Sequence, residues 1–388
     1  MPDVIYLDYN ASTPCDPRVV EEMVSVLRSS FANPSSRSHR PGQQASELLE
    51  DARARVARAV GARSASGITF TSGATEANNL AIRGVAEALA DRGRHLVTQL
   101  TEHPSVLEPM QQLARSGWEL SLLEVDGAGR IKLDQLEEAI REDTALVSLM
   151  LANNETGTIQ AVADAVEIVH RRGALIHCDG AQALGKVEIS AEDLGVDYLS
   201  FSAHKAYGPK GIGGLYSRRR RPALRIRPQL LGGGQEGGLR SGTANTPAAA
   251  AMALALEIAQ TECHADAARI GALRDLLEET ISSRLDDCKI NGAIDHRLPG
   301  TTNLSFAEVD GNALLASLPE LAISSGSACT STSPEPSTVL RAMGVPPRLA
   351  AASIRFSLGR FTTRAEIELA AERVIEEVTR LRGMTRKR

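Results

Sequence analysis

The sequence predicts an α/β protein, with a mainly parallel seven-stranded sheet in a large domain joined to a smaller α+β domain. Three observations lead there. Short runs rich in Val, Ile, Leu or Phe alternate with longer amphipathic stretches. Gly93, Gly117 and Gly173 follow the amphipathic stretches and act as helix stops. After an alanine-rich helix the texture changes, and a second group of strands and helices closes the chain. Strand, helix, strand repeated this often builds a parallel sheet covered on both faces. With 388 residues, 43% of them hydrophobic, the chain is long enough for two cores.

Taken in order, residues 68–71, 95–99, 120–125, 145–151, 174–178 and 197–201 read as strands, with 214–216 as a seventh. Helices are expected at 75–90, 104–115, 133–141 and 161–171 between them. An alanine-rich helix near 247–260 and a second near 267–284 follow, then strands at 301–306 and 353–358 and a closing helix at 364–380. This pattern assigns 15–262 to the large domain and 1–14 with 263–388 to the small one.

Composition excludes several classes. A net charge of −5 argues against general electrostatic binding of nucleic acid. The run from Arg218 to Arg221 is either a solvated strand end or a docking patch for an acidic partner. The five cysteines are irregularly spaced with no Cys-x-x-Cys pair, which fits free thiols in a reducing compartment. Met1-Pro2-Asp3-Val4-Ile5-Tyr6 lacks the form of a secretion signal, and the longest apolar run, 248–256, is too short to span a bilayer. A cytoplasmic protein with no membrane partner is expected.

Ligands of open α/β sheets bind beyond the carboxyl ends of the strands, and five such ends here carry polar motifs. They are Ser72-Gly73-Ala74-Thr75-Glu76, Thr101-Glu102-His103, Asn153-Asn154-Glu155, Asp179-Gly180-Ala181-Gln182 and Ser202-Ala203-His204-Lys205. Gly73-Ala74-Thr75 opens a helix, where backbone N–H groups and a hydroxyl suit a phosphate; taken alone, an ordinary N-cap fits as well. Ser202 and His204 add donors to the same anion. Asp179 ends its strand facing the rim, so Cys178 faces the core. An Asp against a pyridine nitrogen keeps that nitrogen protonated, and a desolvated Lys205 is a nucleophilic amine. No metal-site or glycosidase pattern is present, and the glycine-rich stretch from Gly208 to Gly214 lacks the ending of a nucleotide loop. Far along the chain, Ser324-Ser325-Gly326-Ser327-Ala328-Cys329-Thr330-Ser331 sets a thiol among small residues, either as a reactive group or as part of a plain surface loop.

These motifs, with Asn153-Asn154-Glu155-Thr156-Gly157, Arg240-Ser241-Gly242-Thr243 and Ser353-Ile354-Arg355-Phe356-Ser357, resemble the pyridoxal-phosphate-dependent cysteine desulfurases. These are class V aminotransferase-type enzymes, and the chain is similar to their iron-sulfur-cluster subgroup with the long cysteine loop, here about 324–337. The resemblance implies a fold-type I pyridoxal 5'-phosphate enzyme that converts L-cysteine to L-alanine and carries the sulfur on Cys329 as a persulfide. It implies Lys205 as the Schiff-base lysine, Asp179 as partner of the pyridine nitrogen, Gln182 as partner of the ring hydroxyl and His103 as the imidazole stacked on the ring and a proton carrier. Ala74, Thr75, Ser202 and His204 are implied to hold the phosphate, and Thr243 to reach the site of the other subunit in a homodimer. Asn154 and Arg355 are implied to hold the substrate carboxylate. A sulfur-acceptor protein is implied as partner, with cluster assembly, tRNA and other thiolation all open. The chain ends at Arg388, soon after the last helix, where family members that serve cluster assembly carry a scaffold-binding tail. Cys15, Cys263 and Cys288 are expected to be structural.

Overall fold

The computed structural model describes residues 4–220, 223, 226–325 and 337–385. The expected cysteine loop, Cys329 included, falls largely outside the described residues, as does Arg221, the last arginine of the basic run.

Among the described residues there are thirteen strands: β1 Ile5–Tyr6, β2 Ile68–Thr71, β3 His95–Gln99, β4 Glu119–Leu123, β5 Thr144–Met150, β6 Leu175–Asp179, β7 Tyr198–Ser202, β8 Gly213–Ser217, β9 Cys288–Asn291, β10 Thr301–Phe306, β11 Leu321–Ala322, β12 Ser324–Ser325 and β13 Ser353–Ser357. Seven form one sheet in the order β2-β8-β7-β6-β5-β3-β4. All its strands run parallel except β8, which is antiparallel to both neighbours. The carboxyl ends of six strands therefore lie on one edge, and the chain entering β8 starts from that same edge.

Side-chain alternation puts a core on each face of this sheet. Leu96, Leu146, Leu175 and Tyr198 join one cluster, while their neighbours Val97, Val147, Ile176 and Leu199 join another. The first cluster is closed by helices α3 Ala74–Leu89 and α4 Pro104–Arg115. The second is closed mainly by α2 Arg40–Ala59, α6 Val162–Arg171 and α8 Thr246–Ser282. Helix α1 Pro17–Ser29 packs beside α8, while α5 Leu133–Ala139 and α7 Ala191–Leu194 adjoin α6.

Helix α8 differs from expectation, because the two helices foreseen near 247–260 and 267–284 are one helix of 37 residues. The intervening Thr261-Glu262-Cys263-His264-Ala265-Asp266 holds neither Gly nor Pro, so nothing stops the first helix. Its early residues Ala248, Ala249, Met252 and Leu256 belong to the core under the large sheet, whereas Ile270, Leu273, Leu277 and Ile281 belong to a separate core. That second core lies under the four-stranded antiparallel sheet β12-β13-β10-β9 and the pair β1-β11, and is covered by α9 Gly311–Ala316 and α12 Arg364–Thr385.

Two short helices, α10 Thr338–Ala342 and α11 Pro347–Ala351, lead into β13. The N-cap of α10, Ser337, donates its hydroxyl to the Glu155 carboxyl at 2.5 Å, which ties α10 to the loop after β5. Burial pushes the Glu155 pKa up to about 7, against the opposing pull of Ser337 and Arg355. A carboxyl with a raised folded-state pKa binds its proton more tightly folded than unfolded. Its favourable contribution is complete at low pH and is lost as pH climbs from about 4.3 to about 7. The variant Glu155→Gln, which cannot ionise, should gain on the wild type by up to about 3 kcal/mol across that window. Urea unfolding of both proteins at pH values below and above the window measures this, and a constant difference would count against the buried proton.

Candidate active site

The edge that collects the strand ends holds a cavity of about 390 Å³, within the range of roughly 300–1,000 Å³ usual for small-molecule sites. Ala74, Thr75, His103, Asn154, Asp179, Gln182, Ser202, His204, Lys205 and Arg355 all line it. These residues come from five strand ends and from β13, so the motifs separated in sequence meet in one space. Thr243 is exposed and does not line this cavity.

Two features fit an anionic group such as a phosphate. Helix α3 begins after Gly73 with no side-chain cap, leaving its first N–H groups open to a ligand. Gly73 has φ 155°, and a Cβ built there would meet nothing within 4 Å. Ser202 contributes the second feature, a buried hydroxyl with no hydrogen-bond partner. His204 stands nearby, 3.3 Å through Nδ1 from the Ser12 hydroxyl. Burial, reinforced by Lys205, Lys210 and Lys186, pushes its pKa down to about 4 when no anion is bound.

Asp179 is buried at the end of β6, and each of its oxygens accepts a hydrogen bond. Oδ2 takes one from Asn78 Nδ2 at 2.8 Å and Oδ1 one from the Ala181 N–H at 2.9 Å. Asn78 lies on α3, one turn beyond the open N-terminus, and its amide also donates to Ser105 Oγ at 2.8 Å. Ser105 in turn stands 2.8 Å from His103 Nδ1, which also accepts the Ser105 backbone N–H at 3.1 Å. With Nδ1 committed as acceptor, the neutral imidazole of His103 carries its proton on Nε2. Burial, with Lys205 acting the same way against Asp179, lowers the His103 pKa. Below this layer Glu102 accepts the Met150 N–H, and burial together with Asp179 pushes its pKa well above the ordinary carboxylic range.

The opposite group of residues is organised by Asn10. Its side-chain amide donates to the Asn154 carbonyl at 3.1 Å and to Thr301 Oγ1 at 3.0 Å, and its own carbonyl accepts from Gln182 Nε2 at 2.9 Å. Arg355 is buried and donates to the same Asn154 carbonyl at 3.0 Å and to Asp8 at 2.6 Å. Two of its five N–H groups are thereby used, and Nε has no partner. Helix α3 is tied to the segment bearing Thr243 by an ion pair between Glu76 and Arg240 at 2.8 Å.

Asn10, Asn78, Ser105 and Lys186 were not among the residues singled out from sequence. Asn78 follows Thr75 by three positions, so it shares a helix face with a residue that was. Lys186 and Asn10 carry no such local signal.

The chain matches the family model described as Aminotransferase class-V over residues 5–369. It is 49% identical over 381 residues to "Cysteine desulfurase IscS" of Anaeromyxobacter sp. (strain Fw109-5), covering 98% of this chain and 94% of the relative. The protein of the same name from Pseudomonas syringae pv. tomato is 49% identical over 383 residues, with the same coverage. Among solved structures, a "NIFS-LIKE PROTEIN" superposes with a TM-score of 0.90 at 39% identity, covering 97% of this chain and 99% of that one. DndA from Streptomyces lividans gives 0.78 at 38% identity, covering 90% and 98%. The chain therefore belongs to the class-V aminotransferase family, and within it to the pyridoxal-phosphate-dependent cysteine desulfurases.

Proposed function

We propose that the protein takes sulfur from L-cysteine, releases L-alanine and passes the sulfur through Cys329 to an acceptor, with the roles of individual residues as follows. One observation carries this reading: the open N-terminus of α3, the unpartnered Ser202 hydroxyl, Asp179 and Lys205 all face one cavity. These are the groups that a phosphate, a pyridine nitrogen and an aldehyde require.

Pyridoxal phosphate, when bound, supplies a conjugated ring that accepts the electrons of a cleaved bond at the substrate α-carbon. Ala74, Thr75, Ser202 and His204 hold its phosphate, Asp179 its ring nitrogen and Gln182 its ring oxygen. Lys205 would anchor it through Nζ, and the same amine would move the substrate α-proton. His103, which lines the cavity with Nδ1 committed to Ser105, would serve the ring and carry a proton on Nε2 for the substrate. The free N–H groups of Arg355 and the Asn154 side chain bind the substrate carboxylate.

Cys329 then attacks the substrate sulfur. A sulfur–sulfur bond forms as the carbon–sulfur bond breaks, and protonation of the carbon gives alanine. In net terms the Cys329 thiol and L-cysteine become a persulfide and L-alanine, so no external oxidant or reductant is needed. Thr243 is exposed on its own subunit, which suits a contribution to the neighbouring site of a homodimer. The acceptor is a thiol-bearing or nucleophilic partner that meets the persulfide, and the reading places the enzyme in the cytoplasm. Among the described residues no helix is long and apolar enough to cross a membrane.

Peptide mass spectrometry after exposure of the cofactor-loaded protein to L-cysteine, with alanine measured in parallel, tests this. The wild type should gain one sulfur on the peptide containing Cys329 and make alanine in repeated turnovers when a reductant strips the persulfide. Cys329→Ser should lose the added sulfur. Lys205→Ala should make alanine at least about 100-fold more slowly. Normal sulfur loading in either variant would refute the assigned roles.

A further inference from the structure

Lys186 stands behind Gln182, outside the residues that line the cavity, and takes no part in the roles assigned to them. It follows Gln182 by four positions, and its side chain is only partly exposed. Nζ donates to Gln182 Oε1 at 2.8 Å and to Asn10 Oδ1 at 2.7 Å. Both acceptors are neutral amide oxygens, and among the described residues no carboxylate lies within ion-pair distance of it.

Two consequences follow from donor and acceptor chemistry alone. An ammonium has no acceptor, so Gln182 must turn its oxygen toward Lys186 and its NH₂ group the other way. One hydrogen of that NH₂ is taken by the Asn10 carbonyl at 2.9 Å, which leaves the other for the cavity that Gln182 lines. A glutamine locked in this orientation presents a donor and stabilises an oxygen anion. The flipped amide would present an acceptor and favour a protonated hydroxyl. Asn10 is locked by the same cation, and through it the Asn154 carbonyl that also receives Arg355.

The charged groups around Lys186 are Lys205 and Arg355, with His204 also within its field and Asp8 balancing Arg355. Burial, then Lys205 and Arg355, hold the Lys186 pKa well below the ordinary lysine value. An anionic ligand entering the cavity counters both effects and favours the ammonium, so the charged form belongs to the cofactor-loaded protein.

We propose that Lys186 is a positioning residue: it fixes the Gln182 amide as a donor to the ring oxygen of the cofactor and supplies the positive charge that disfavours protons on the cofactor's oxygen and imine nitrogen. The inference rests on the assignment of Gln182 to the ring oxygen made above. Removing the cation makes proton binding at either atom easier, so the pH at which the bound cofactor changes colour must rise.

The test is a pH titration of the visible absorption of the cofactor-loaded wild type, Lys186→Met, Lys186→Gln and Lys186→Arg, with no substrate present. Both neutral variants should move the midpoint upward by about one pH unit or more, and Lys186→Arg should return it toward the wild type. Lys186→Gln keeps a donor at the position and serves where Lys186→Met does not hold cofactor. An unmoved midpoint in whichever neutral variant holds cofactor overturns the inference, as does an equal shift in Lys186→Arg. Failure of the wild type itself to bind pyridoxal phosphate would instead overturn the functional reading on which the inference stands.

Discussion

Asp179 is buried at the end of a central parallel strand, accepts hydrogen bonds on both oxygens, and has no ion-pair partner among the described residues. An acidic group placed this way is suited to a cationic partner on a ligand. A protonated pyridine nitrogen is such a cation, and it is the partner proposed for Asp179. The donors on Asp179 come from Asn78 on α3 and from the backbone of the following loop, so its direction is fixed before any ligand arrives. The folded protein already bears the cost of orienting it.

The same helix serves two ends of the ligand. Its uncapped N-terminus opens on the cavity, and one turn later Asn78 holds both Asp179 and, through Ser105, the imidazole of His103. The groups proposed for the phosphate, the ring nitrogen and proton transfer are thus coupled through one helix. Across the cavity Asn10 performs a comparable task for Gln182, Asn154 and, by way of the Asn154 carbonyl, Arg355. Asn10 comes from the N-terminal segment, which joins the small antiparallel sheet through Ser357 of β13. Movement of that segment is therefore felt directly by the residues assigned to the substrate carboxylate.

Much of this was legible in the sequence because its signals are local. The strands β2, β3 and β10 and the helix α4 occur where apolar runs and glycine stops placed them, and the polar motifs at strand ends meet as the topology of a parallel sheet requires. Helix α8 was misread as two because its second half changes partners, and a change in the buried pattern resembles a break when only periodicity is visible. Helices α1 and α2 were passed over; both start with a proline in the first turn, and α2 has a charged surface that hides its buried stripe of Ala45, Leu49, Ala52 and Val56. Asn10 and Lys186 were invisible for another reason. The partners of Asn10 lie more than a hundred residues away, and Lys186 gains its meaning only where the fold brings Asn10 against Gln182; each alone looks like ordinary surface polarity.

The protonation state of the bound ring nitrogen reports most directly on whether Asp179 governs this site. Nuclear magnetic resonance of pyridoxal phosphate isotopically labelled at that nitrogen, bound to the wild type and to Asp179→Asn, gives the answer. The account requires a protonated nitrogen in the wild type at neutral pH and an unprotonated one in the variant, and an unprotonated nitrogen in the wild type would contradict it.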